Sequence, residues 1–161
     1  MNSFEQLTKE MLEALKKSSS LQEVKVQSAF SPQTRPFPLR TQTLCLSIQE
    51  ITVEQGGFGG VVADKAEGAV PGQKCTADFA VDILCPLAQG ASRCQDIFSK
   101  LCSAVFTEEI LPVKAVWLKA SSPGYSRDNE CFLQQATLRA VFLMTEEESG
   151  LPLTDLIVRR V

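Results

Sequence analysis

The 161-residue sequence contains no histidine. The commonest general base is therefore missing, and with it the usual Ser–His and Cys–His nucleophile pairs. Trp and Tyr occur once each. No apolar run approaches the roughly 18 residues a membrane span needs, so no membrane partner is expected. Met1 to Gln6 is polar and lacks a charged stretch leading into an apolar one, so no signal peptide is expected either. Net charge is only −3, with both signs interspersed. That balance offers no broad cationic surface for a phosphate backbone and argues against nucleic acid as a partner.

What is present is globular: 44% hydrophobic and 22% charged residues in a length suited to one domain, expected in the cytosol. Six cysteines (Cys45, Cys75, Cys85, Cys94, Cys102 and Cys131) lie far apart, with no Cys-x-x-Cys pair. Structural zinc sites favour close ligand pairs, so no metal is expected. Most of the six fall on apolar stripes and read as free, buried thiols acting as small hydrophobes.

Periodicity gives the element order. Phe4, Leu7, Met11, Leu12 and Leu15 recur at helical spacing over residues 3–17, with Ser3 and Gln6 in a capping-box pattern and Ser18-Ser19-Ser20 as the stop. Leu21 to Ala29 alternates as a strand, and Pro32, Pro36 and Pro38 mark an extended connector. Arg40 to Glu54 reads as a long strand. Its apolar parity switches after Ile48, which predicts a bulge near Gln49-Glu50. Residues 55–73 are rich in glycine and are expected to form a flexible loop. Lys74–Pro86 is a strand, residues 89–106 a second amphipathic helix, Leu111–Ala120 a strand, and Ser121–Asn129 a turn-rich connection. Glu130–Thr145 is another long strand, and Leu156–Val161 could close the sheet after an extension starting near residue 149. The expected fold is one α+β domain over residues 1–161. Its order is α-β-β-β-α-β-β, a mostly antiparallel sheet of four to six strands with both helices on one face.

Chemistry finds little purchase. Asp78 and Asp82 share a strand face about 13 Å apart, too far to share a proton and wide for a two-carboxylate hydrolase. Gly56-Gly57-Phe58-Gly59-Gly60 follows a strand but lacks the order of a phosphate loop and is not followed by Lys-Ser/Thr. Glu146-Glu147-Glu148 reads as a charged turn. No catalytic, cofactor or metal-binding residue is expected. The strands at 40–54 and 130–145 far exceed the usual ~5–6 residues, and long sheet edges attract partners. Assembly with other copies of the chain is the expected behaviour.

The layout resembles tail-terminator or tail-completion proteins of long-tailed bacteriophages. The residues carrying the likeness are the N-terminal helix Phe4–Lys17, the passage Pro32–Pro38, the long strand with its loop Gly56–Gly60, and the strand Phe79–Pro86 running into the helix of residues 91–106. The turn Tyr125-Ser126-Arg127-Asp128 and the closing strand Cys131–Met144 complete it. The resemblance implies a homo-oligomeric ring, hexameric in that family, that caps the tail tube and meets the tube and head-connector proteins. It also implies a bacterial cytoplasmic location during assembly and a place in the virion tail. Gly56, Gly57, Phe58, Gly59 and Gly60 are the candidate contact loop, and Tyr125, Arg127 and Asp128 a candidate contact turn. The alternatives are a small bacterial ligand- or peptide-binding module and, less favoured, an enzyme using carboxylates.

Overall fold

The computed structural model describes residues 3–29, 39–55, 61–65, 68–146 and 156–160. Helix α1 (Ser3–Lys17) carries Glu5 in its first turn and Lys16 and Lys17 in its last, matching the helix dipole at both ends. Its stripe of Leu7, Met11 and Leu15 is fully buried. The Ser3 half of the expected capping box lies outside the side chains the structure describes. The Gln6 amide donates one turn along the helix, to Glu10 Oε1 at 3.1 Å. A turn over 18–24 shortens the first strand to β1 (Lys25–Ser28).

The remaining elements are β2 (Thr43–Gln55), β3 (Val61–Lys65), β4 (Gly68–Pro86), α2 (Ser92–Cys102), β5 (Lys114–Ala120), β6 (Gly124–Ser126), β7 (Cys131–Glu146) and β8 (Leu156–Arg160). The α+β reading holds: two helices on one face of a mostly antiparallel sheet. Among the described residues the sheet counts eight strands, three of them (β3, β6 and β8) lying off the main path. The main order is β1-β2-β4-β7-β5, with β3 pairing β4, and β6 and β8 pairing β7. Only β1–β2 is parallel. Residues 55–73 depart from the expected loop. Val61–Lys65 and Gly68 onward are paired strands, short of any periodic signal in the sequence.

The register of β2 against β4 slips between Ile48 and Glu50, where the parity switch places a bulge. The slip keeps Leu44, Leu46, Ile48, Ile51 and Val53 on one face. That face meets Cys75, Ala77, Phe79, Val81 and Ile83 of β4, and Ala136, Leu138, Ala140 and Phe142 of β7. Both helices close over it: Leu7, Met11 and Leu15 of α1 and Cys94, Ile97 and Leu101 of α2 join the same core. After Cys102 the second helix widens into a π turn, Ser103–Thr107, which buries Ala104 and Val105.

Candidate assembly surfaces

The opposite face of the sheet carries no helix among the described residues. Register places Glu50 (β2), Asp78 (β4), Arg139 (β7) and Trp117 (β5) in one row across four strands. Arg139 donates to Asp78 twice, Nε to Oδ1 at 2.7 Å and Nη2 to Oδ2 at 2.8 Å. Two parallel charge-assisted bonds fix the guanidinium plane as well as its position. The same guanidinium lies 4.9 Å from the centre of the Trp117 ring, and Lys119 Nζ lies 4.7 Å from it. The indole is thus held by two cations on neighbouring strands. Hydrogen bonding from Arg139 keeps the Asp78 carboxyl below the ordinary carboxylate range, and the pairing raises Arg139 in turn.

Asp82, on the same face, behaves in the opposite way. It forms no hydrogen bond or ion pair among the described residues, and burial raises its pKa. Near it, Cys45, Leu84 and Cys131 bury a small second cluster with Leu39 and Leu133. The two aspartates therefore shift in opposite directions, Asp78 locked in its ion pair with Arg139 and Asp82 raised by burial.

The sheet's edges are the second feature. β1 pairs only Thr43–Leu46 of β2, so the outer edge of Ser47–Gln55 has no strand partner among the described residues. On the far side β5 pairs β7 alone, leaving its own outer edge unpaired among them. Apolar groups stand exposed along both, Val53 at 48% and Val116 at 49%. Unpaired strand edges carry a row of free backbone donors and acceptors.

The residues predicted as contacts fare differently. Gly56, Gly57, Phe58, Gly59 and Gly60 lie outside the described residues. Tyr125 sits on β6, 55% exposed, its ring edge-on to Phe132 at 6.4 Å. Arg127 and Asp128 follow in an exposed turn, held by Asn129 Nδ2 donating to Ser126 Oγ at 2.9 Å and by Glu130 in a left-handed backbone, φ 43°. Tyr125, Arg127 and Asp128 do share one hairpin end, but none joins the Asp78–Arg139–Trp117 row. The row was hidden in the sequence because its members come from separate strands. The one hint is that Arg139 shares its strand parity with Gln135 and Thr137, opposite the apolar run Ala136, Leu138, Ala140 and Phe142.

A third arrangement is structural. The Glu108 carboxylate accepts hydrogen bonds from Ser18 Oγ at 2.8 Å, Ser19 Oγ at 3.0 Å, the Ser20 amide at 3.1 Å and Ser20 Oγ. These bonds, led by Ser20 and Ser18, hold its pKa down to about 2. The triple serine that ends α1 is thus tied to the segment after the π turn. Beside it, Ser19, Ser20, Ser99, Lys100 and Ser103 line an open surface cleft of about 450 Å³. Glu23 in that cleft is paired with Arg93 at 3.2 Å and Lys100 at 3.7 Å. A second open cleft, about 490 Å³, runs between α1 and Ile110–Pro112. None of the six cysteines is held in a disulfide, and five are buried. Burial pushes Cys75 up to about 11. Among the described residues no group of three or more His, Cys, Asp or Glu side chains converges, and no helix is long and apolar enough to cross a membrane.

The sequence matches no protein-family model and no curated protein.

Proposed function

We propose that this chain is a non-enzymatic structural subunit of phage or prophage tail assembly, forming a homo-oligomeric ring that caps or completes the tail tube. The observation supporting this most strongly is the pair of unpaired edges on opposite sides of one sheet, Ser47–Gln55 on β2 and Lys114–Ala120 on β5. Edges of that kind are normally blunted or used. Two different edges meeting head-to-tail give a heterologous contact, and such contacts close into rings when the rotation allows. Rigid ion pairing on the bare face fits a surface that is recognised by a partner. Tail-tube and head-connector proteins are the partners, met in the bacterial cytoplasm and retained in the virion tail.

Native mass spectrometry with negative-stain imaging tests this reading: a closed ring of one discrete copy number is expected. A monomer at every concentration refutes it. The open β2 edge would also accept an extended peptide as an added strand, the basis of a peptide-binding reading. That reading requires a monomer that captures peptide with its β2 edge amides becoming protected.

A further inference from the structure

We infer that the subunit contact, resting on the ring reading above, continues the sheet from one copy to the next. β5 of one copy pairs antiparallel with the outer edge of β2 in its neighbour, Lys114 across from Glu54 and Lys119 across from Glu50. Strand direction comes first. β2, β4, β7 and β5 alternate in direction, so β5 runs antiparallel to β2. A neighbour related by rotation about an axis lying roughly along the strands presents its β2 to β5 in that antiparallel sense. The two bare faces then stay on the same side.

Charge and spacing come next. The free stretch of β2 carries Glu50 and Glu54 and no basic residue, while β5 carries Lys114 and Lys119 and no acidic one. Glu50 lies opposite Asp78 and Glu54 opposite Lys74, both on the bare face, four positions apart on β4. Lys114 and Lys119 are five apart in sequence, but the register shift between Ala115 and Trp117 removes one step. They stand opposite Val141 and Thr137, again four positions apart and on the bare face. Both pairs of charges are therefore spaced by about 13 Å. Without the β5 irregularity one lysine of the pair would point into the core.

The pairing also clears β1, which ends against Leu46. Within one copy Lys119 is level with Ser47, through Thr137 and Ala80. Meeting Glu50 of the neighbour shifts the strands by two ladder steps, a stagger that tilts them against the ring axis as strands in closed barrels tilt. Cross-strand charge pairs steer register, and the backbone bonds of the joined edges supply the rest.

Two double variants test the contact, K114E/K119E and E50K/E54K, with far-UV circular dichroism confirming that each folds. Each should raise the dissociation concentration of the ring by on the order of tenfold, read by native mass spectrometry across a dilution series. Mixing the two variants should restore assembly, as rings in which the two chains alternate, because the reversed charges then face each other. The contact is overturned if either variant assembles as the unaltered chain does, or if the mixture assembles no better than its parts. In both cases the ring reading survives. An unaltered chain that stays monomeric sinks both.

Discussion

The two faces of the sheet are built on different principles. The helix-covered face is apolar along every long strand, with Phe79, Ile83, Leu138 and Phe142 almost wholly out of water. The bare face joins Asp78, Arg139, Trp117 and Lys119 by ion-pair and cation–π contacts, with Glu50 next in the row by register. Burial on one side is non-directional and sets stability. Directional polar contacts on the other order a surface without covering it. The comparison teaches that this domain is complete as a fold on one face and is pre-arranged on the other.

The largest effect should come from breaking the covered face. Phe79→Ala removes a fully buried ring at the centre of β4 and should cost about 3–5 kcal/mol, measured by denaturant unfolding. The bare face should tolerate more. Asp78→Ala leaves Arg139 without its carboxylate partner, and because the guanidinium side is partly exposed the loss should be only about 1–2 kcal/mol. A loss equal to that of Phe79→Ala would erase the distinction between the faces.

Acid titration sharpens the comparison further. Glu108 is held down to about 2 from an ordinary 4.5, so its contribution is in full above pH 4.5 and is lost as pH falls toward 2. Glu108→Gln should flatten that limb of a stability–pH curve, and an unchanged limb would show that the serine nest does not hold the carboxylate in solution. Asp82 has the opposite sign. Its raised pKa costs stability at neutral pH, so Asp82→Asn should stabilise slightly there, the gain fading as the pH drops through the raised pKa to the ordinary value near 3.8. Thermal melts at pH 7 and pH 3 check it. Smallest of all on stability should be deletion of Gly56–Gly60, with assembly impaired and the melting temperature close to unchanged. Loss of folding would show the segment to be part of the fold rather than a contact arm.

Much of this architecture is legible in the chain. The stripe of Leu7, Met11 and Leu15 and the alternation of β4 and β7 mark their elements directly, because their burial is local in sequence. The parity switch after Ile48 marks the β2 bulge, since only a slip in register keeps Ile51 and Val53 with Leu44 and Leu46. β3 escaped because Val61–Lys65 is short, set among glycines and stabilised only by its partner β4. The Asp78–Arg139 pair and the Ser18–Glu108 nest join residues 61 and 90 positions apart, and no local pattern encodes such meetings. Of the predicted contact residues, Tyr125, Arg127 and Asp128 stand exposed, whereas the edges that carry the assembly reading are specified only by strand neighbours far apart in sequence.

The central claim is that the two free edges complete each other, and amide hydrogen exchange measured across a concentration series tests it most directly. The account predicts that the amides of Ser47–Gln55 and Lys114–Ala120 with outward-facing N–H groups gain protection together, in step with ring formation, while the exposed turn at Arg127–Glu130 does not change. Fast exchange at both edges in the assembled protein would contradict it.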